Sequence, residues 1–165
     1  MGEKVERCAV CGKEHPRSAL ELSFKRPDPI VALSKKECEE RCKESDDICV
    51  IKWERYFIRG VLPLPVEGSD RPYRIGIWAE VNEEAYRRIF DLWRDENQST
   101  EPPFQAVLAN ELPNHSNALG LRVQVKLSGP TTRPDIIVTD MSHKLYEEQT
   151  KGISVHRAYE YSSLF

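Results

Sequence analysis

Hydrophobic and polar residues alternate in several short stretches of this chain, which is typical of strands with one buried face. Residues 47–66 are rich in valine, isoleucine and aromatic side chains and predict two strands. Residues 71–81 predict a third, with Tyr73, Ile75, Ile77 and Ala79 on one face. Further strands are predicted within 118–129 and 134–140, and 153–161 is predicted to close the chain as a strand.

Three other segments have the spacing of helices. Residues 33–45 begin with Ser34, which can cap a helix together with Glu37 three residues later. Residues 142–152 predict a short helix that ends at Gly152. The clearest helix covers 81–97, where Asn82 is the predicted cap. Its predicted apolar face consists of Tyr86, Ile89, Phe90 and Trp93.

Strands and helices do not alternate regularly along the chain, so a parallel doubly wound sheet is disfavoured. The pattern predicts an α+β fold, with a mainly antiparallel sheet, about three helices and a zinc-knuckle-like element at the N-terminus. With 165 residues, the chain is expected to form a single domain over 1–165.

Composition narrows the classes of partner. The net charge is −3 and no basic block is present, so nucleic acid is not an expected partner. No apolar run approaches the length of a membrane span, and the polar start "MGEKVERC" does not resemble a signal segment. We therefore expect a cytoplasmic protein whose five cysteines are metal ligands or buried apolar residues instead of disulfides.

Residues 7–16, "RCAVCGKEHP", form the strongest chemical motif. Cys8 and Cys11 flank a tight turn that is followed by a glycine, a spacing typical of zinc knuckles. A redox dithiol or two metal-free thiols are the competing interpretations. Two pairs of residues could supply the remaining zinc ligands. One pair is His15 and Cys49, and the other is Cys38 and Cys42, which lie four residues apart on a predicted helix.

Other candidate residues carry weaker signals. His143 and Glu147 lie four apart on a predicted helix and could perform acid–base chemistry, although His143 is also well placed to start that helix. Arg59 and Arg133 could bind an anion or a partner between them, or could instead pair with Asp47 or Asp135. His115 and His156 have no partner that the sequence identifies.

Several stretches occur here in an order that resembles a known family. They are "CAVCGKEH", "DICVI", "YFIRGVLPLPV", "IGIW", "WRDE", "RPDI" and "HKLYEEQTKGIS". Together, from about Cys8 to Glu160, they resemble small bacterial proteins catalogued as domain of unknown function 2199. The resemblance implies a compact α+β domain and no established activity.

The resemblance also ranks the candidate residues. The positions that match the family's motifs include Cys8, Cys11, His15, Asp47, Cys49, Arg59, Trp93, Arg133, Pro134 and His143. Because Cys38 and Cys42 do not match motif positions, the resemblance favours Cys8, Cys11, His15 and Cys49 as the zinc ligands.

A binding or interaction module with a structural zinc site is therefore the expected function, with another protein among the expected partners. A toxin-neutralising immunity-type protein is one alternative. A small enzyme that uses His143 and Glu147 with Arg59 or Arg133 is another.

Overall fold

The computed structural model describes residues 5–7, 14–16, 21–52 and 54–163. Within these ranges the strands are β1 (Val5–Arg7), β2 (Glu14–Pro16), β3 (Glu21–Ser23), β4 (Cys42–Glu44), β5 (Ile48–Ile51), β6 (Arg55–Leu64), β7 (Tyr73–Val81), β8 (Phe104–Leu108), β9 (Arg122–Lys126) and β10 (Asp135–Val138). The helices are α1 (Asp28–Val31), α2 (Lys35–Arg41), α3 (Glu83–Leu92), α4 (Lys144–Lys151) and α5 (Val155–Ser162), with a 3₁₀ turn at Gln98–Thr100.

Five strands form a closed barrel in the order β6, β7, β8, β9, β10. The four pairings from β6 to β10 are antiparallel, and β10 closes the barrel by pairing in parallel with β6. Strands β5 and β4 extend the sheet from β6, and β3 adds in parallel to β7. The prediction of a mainly antiparallel α+β fold is confirmed, and its sheet is a barrel with two extensions.

Alternation along β7 determines what the barrel encloses. Tyr73, Ile75, Ile77 and Ala79 are fully buried in the main core, as their period-2 spacing predicts. The main core also receives residues from the other strands and from the helices, among them Leu62, Val123, Ile136, Ile89 and Tyr161. Alternate side chains along the strand therefore lie inside the barrel, and those between them lie outside it.

The opposite face of β6 and β7 builds a second, smaller core. Phe57 and Trp78 are fully buried there with Cys49, Ile51, Ile30 and Ala109. The Trp78 indole N–H donates to the Phe24 carbonyl over 3.0 Å, so its one polar atom is satisfied. Residues 24–33 and the β4–β5 hairpin therefore pack on the outside of the barrel.

Gly60 allows β10 to reach β6. A Cβ at this position would lie 2.6 Å from Ile136 Cδ1 and 2.8 Å from the Pro134 carbonyl oxygen, which is closer than side chains approach. In the space that the missing Cβ leaves, the Val61 N–H donates to the Pro134 carbonyl over 2.8 Å. The barrel closes at this contact, and the contact also places Arg133.

Helix α3 begins as the sequence predicts, and three of the four residues of its predicted apolar face pack against the main core. Asn82 Oδ1 accepts a hydrogen bond from the Ala85 N–H over 2.8 Å. Ile89 and Leu92 are buried, whereas Phe90 is 59% exposed and Tyr86 and Trp93 are only partly buried. Phe90 lies about 100° around the helix from Ile89 and therefore faces away from the barrel.

The final segment is a helix, so the prediction of a closing strand at 153–161 is wrong. Ser154 Oγ accepts from the Arg157 N–H over 3.1 Å and caps α5, and Ala158 and Tyr161, three apart, face the core. The described residues contain five α-helices instead of about three, because α5 and the single turn of α1 were not predicted. No helix within those residues combines the length and apolarity needed to cross a membrane.

Candidate functional site

A pocket of about 420 Å³ lies beside the point where β10 closes the barrel. Its walls come from separate parts of the chain: the turn before β5, strands β6 and β7, the end of α3, and residues 129–134 of the β9–β10 loop. The residues that matter most for its chemistry are Asp47, Arg74, Trp93, Gln98, Thr131, Thr132 and Arg133.

Arg133 is the best-anchored cationic residue of the pocket. Its Nε donates to Asp47 Oδ1 over 2.8 Å, so the pairing with Asp47 that the sequence left open is the one observed. Its carbonyl accepts from Ser128 Oγ over 3.0 Å, and the next carbonyl, of Pro134, accepts from Val61. Both partners of the ion pair are about 40% exposed, so solvent screens their attraction.

Gln98 joins the two sides of the pocket. Its side-chain amide is buried and donates to the carbonyls of Leu92 and Trp93, each over 3.0 Å. Its Oε1 accepts from the Gly129 N–H over 3.2 Å. The end of α3 and the β9–β10 loop are therefore held together by one side chain. The segment 97–103 is polar and rich in turn-forming residues, and no pattern in its sequence marks Gln98.

Arg59 lies near Arg133 but outside the pocket wall. Its Nη2 donates to Ser23 Oγ over 2.5 Å, and its guanidinium group stacks 5.9 Å from the centre of the Trp78 ring. Burial lowers the pKa of Arg59, and the charge of Arg133 lowers it further. Its buried Nε has no hydrogen-bond partner among the described residues. The two arginines are thus close enough to repel each other.

The predicted zinc ligands are only partly within the described residues. Cys8 and Cys11 lie outside them, whereas the flanking strands β1 and β2 pair antiparallel, with His15 opposite Glu6. Cys49 is fully buried on β5, opposite Glu44 on one side and Phe57 on the other. The predicted set of Cys8, Cys11, His15 and Cys49 therefore stays a prediction.

Cys38 and Cys42, the alternative ligands, share the smaller core with Cys49. The Cys38 thiol lies 3.6 Å from Glu44 Oε2. Burial raises the pKa of Cys38 to about 11, with Cys42 and Glu44 adding to the effect, and burial raises the pKa of Cys49 to about 11 as well. Among the described residues, no group of three or more His, Cys, Asp or Glu side chains is arranged to hold a metal ion.

His143 and Glu147 have separate partners. His143 caps α4: its Nδ1 accepts from the Leu145 N–H over 3.0 Å, and its Nε2 lies 2.8 Å from the Ser116 carbonyl oxygen, to which it donates. Glu147 pairs with Lys151 over 3.3 Å on an exposed face. Neither residue lines the pocket that contains Arg133. The structure therefore confirms the interpretation that His143 starts the helix by bonding the backbone.

A buried ionic cluster beside His143 was missed by sequence reasoning. Glu148 Oε1 accepts from the Tyr161 hydroxyl over 2.7 Å, and His115 Nε2 also lies 2.7 Å from this oxygen. The other carboxylate oxygen, Oε2, accepts from Arg157 Nε over 2.8 Å. Burial opposes the charge of Glu148, but the hydrogen bonds from His115, Arg157 and Tyr161 prevail and lower its pKa to about 2. Arg157 and Tyr161 lie four apart on α5 and share a face of that helix, but no spacing in the sequence relates them to Glu148 on α4.

Fold and site together define a small α+β protein built on a five-stranded barrel, with a charged pocket beside the strand that closes it. The chain belongs to a bacterial family described as an uncharacterized protein conserved in bacteria (DUF2199), whose model matches residues 7–153. The resemblance that the sequence motifs indicated is thereby confirmed. No curated protein and no solved structure gives a significant match.

Proposed function

We propose that this protein is a binding module whose ligand carries an anionic group, held in the pocket at Arg133. The observation that supports the proposal is that Arg74 and Arg133 both line the pocket, whereas Asp47 is the one carboxylate among the described residues that line it. Guanidinium groups bind carboxylates and phosphates through paired, charge-assisted hydrogen bonds.

The electrostatics near the pocket favour an anion. The pKa of Arg59 is lowered first by burial and then by the positive charge of Arg133, so the two guanidinium groups repel each other. A bound anion would reduce the repulsion between these arginines. It would use the terminal amino groups of Arg133, because Nε is the atom that bonds Asp47.

The family motifs point to the same place. Asp47, Trp93, Arg133 and Pro134 belong to stretches that carry the family resemblance, and all four line the pocket. Asp47 and Arg133 are 86 residues apart in the sequence, so only the fold brings them together. A site assembled from several motif segments is what a shared binding role would require.

The proposal predicts that inorganic phosphate binds weakly and that Arg133→Gln lowers its affinity about 10-fold, the loss expected for one hydrogen bond to a charged group. Two-dimensional NMR of the full chain would follow the titration, with shifts expected at residues 129–134 and at the Trp93 indole. Raising the ionic strength should weaken binding, because the site is partly exposed.

Arg87→Gln is the matched control, since Arg87 pairs with Glu83 on the exposed face of α3 and its loss changes the net charge equally. Phosphate should bind this variant as it binds the wild type. Shifts that do not map to the β9–β10 loop, or equal affinities for the two variants, would contradict the proposal.

We also propose a structural zinc at the N-terminal element, with Cys8 and Cys11 as two of its ligands. The spacing of the two cysteines supports it, and so does the antiparallel pairing of β1 and β2 on either side of them. A structural role is favoured because the described residues of the main core, which run from Leu22 to Tyr161, include none of the proposed ligands.

Metal analysis of tag-free protein purified without chelator should give about one zinc per chain. Cys8→Ser with Cys11→Ser should lose the metal and leave the barrel folded. The double variant Cys38→Ser, Cys42→Ser distinguishes the two possible ligand sets. It should retain zinc if His15 and Cys49 complete the site, and it should lose zinc if Cys38 and Cys42 complete it. Well under half an equivalent of any metal in the wild type would rule out the zinc site.

A further inference from the structure

The size of the pocket indicates more than a site for a simple anion. Its volume of about 420 Å³ falls within the range of about 300–1,000 Å³ that is typical of sites for small organic molecules. A phosphate or carboxylate group contacting Arg133 would occupy only part of this space. We therefore expect the remaining walls to contribute to the ligand specificity of the pocket.

Part of the remaining wall is apolar and includes an aromatic residue. Trp93 packs against the main core but stays partly exposed, and it lines the pocket together with Val61, Pro130 and Pro134. Indole rings stack on flat rings, and Arg guanidinium groups do so as well. The pocket thus combines a mainly polar lining, which includes two arginines, with an apolar portion that includes one aromatic residue.

The wall is also held in place before any ligand binds. Gln98 bonds the Trp93 carbonyl and the Gly129 N–H, so the aromatic residue and the loop that carries Arg133 share one buried side chain. Lys126 adds two bonds from β9 to the carbonyls of Ser99 and Glu101, each 2.7 Å long. A preorganised pocket loses less conformational entropy when it binds a rigid ligand.

We propose that the ligand of this pocket is a planar aromatic ring bearing an anionic group, with the ring on Trp93 and the anion at Arg133 and Arg74. Thr131 lines the same pocket, and its hydroxyl group can bond a polar substituent of the ligand. Nucleoside monophosphates and aromatic carboxylates share this chemistry. The inference depends on the proposed function, since it names the class of ligand for the same site.

The test compares anionic probes with and without the ring, and includes one probe that has the ring but no anion. For the phosphate source, calorimetry or NMR would measure binding of AMP, ribose 5-phosphate and adenosine to the full chain as purified. For the carboxylate source, it would measure benzoate against cyclohexanecarboxylate, which has the same charge but no flat ring. The inference expects one of the two ring-bearing anions to bind about 10-fold tighter than its ring-free or non-planar counterpart, the gain expected for aromatic stacking.

Two variants of one residue test the role of the ring. Trp93→Leu should remove the advantage of the aromatic probe while inorganic phosphate still binds, and Trp93→Phe, which keeps a ring, should retain most of the advantage. If Trp93→Leu does not fold, Trp93→Phe and the probe series still decide the question.

Equal affinities within both probe pairs would overturn the inference. If inorganic phosphate then still binds in a manner that depends on Arg133, the proposed function stands without its aromatic specificity. If no anionic probe binds at all, both proposals fail.

Discussion

Glu148 shows how a single side chain can hold two helices and a loop together. It belongs to α4, its donors Arg157 and Tyr161 belong to α5, and His115 approaches from the loop after β8. The carboxylate is only 7% exposed, so each of these bonds forms where water competes weakly. The ionised carboxylate of Glu148 therefore helps to hold the two helices and the loop together.

This carboxylate predicts an acid-dependent loss of stability. The folded pKa of Glu148 is about 2, below its ordinary value of 4.5, so folding favours the ionised form. The stabilisation is fully present above about pH 5 and is lost as the pH falls through the window from 4.5 to 2. Its size, of order 3 kcal/mol, follows from the shift in pKa.

Urea unfolding of the wild type and of Glu148→Gln between pH 7 and pH 3 measures this effect. The variant should lose about 3 kcal/mol at pH 7 and show a flatter acid dependence. Glu147→Gln is the matched control, because Glu147 is the exposed neighbour on the same helix, and it should change stability by less than about 0.5 kcal/mol. Parallel pH profiles for Glu148→Gln and the wild type would contradict the assignment.

At the scale of the element, helix starts were easier to predict than the faces that helices bury. Ser34 and Asn82 cap α2 and α3 as their positions in the sequence predict. On α3, Ile89, Tyr86 and Trp93 pack against the core as predicted, but Leu92 is buried and Phe90 is exposed. A cap is a local hydrogen bond, whereas the buried face depends on where the barrel lies.

Helix α5 shows why short segments are ambiguous. Residues 153–161 alternate well enough for a strand, and they also contain apolar residues three apart behind Ser154, a typical cap. The structure resolves the ambiguity because Tyr161 and Ala158 must reach the same core, and only helical spacing places them on one face. The capping residue Ser154 was visible in the sequence, and it predicts the observed helix whereas the alternation predicts a strand.

At the scale of the whole molecule, Gly60 determines how the barrel closes. Gly60→Ala should destabilise the protein by about 1–3 kcal/mol, because the added methyl group would overlap with Ile136 and the Pro134 carbonyl. The variant should also weaken phosphate binding, since that carbonyl follows Arg133 directly. Urea unfolding and the NMR titration would measure the two effects.

Gly76→Ala provides a matched comparison on the neighbouring strand. A Cβ there would approach the Ser23 hydroxyl at 2.9 Å, and a side chain can move where a backbone carbonyl cannot. We expect a smaller loss than at Gly60. If the two variants lose equal stability, the close approach of β10 to β6 is not what requires glycine at position 60.

The sequence by itself determined the features that depend on neighbours along the chain. These include the α+β class, the strands from residue 47 to 81, the alternation that buries Tyr73 and Ile77, the caps at Ser34 and Asn82, and the family. Each follows from local geometry or from the order of motifs. The sequence also singled out Arg59 and Arg133, although it could not place them relative to a pocket.

The tertiary structure alone decided which distant residues meet. Barrel closure brings Asp47 to Arg133, and the packing of α5 brings Arg157 and Tyr161 to Glu148. The sequence offered Asp47 only as one of two possible partners of an arginine, and it offered no partner for Glu148, because separation along the chain says nothing about distance in space. The buried amide of Gln98 also has no sequence signal, because it is a polar residue in a polar loop. Its structural role depends on the two carbonyls and the N–H that it bonds in the folded protein.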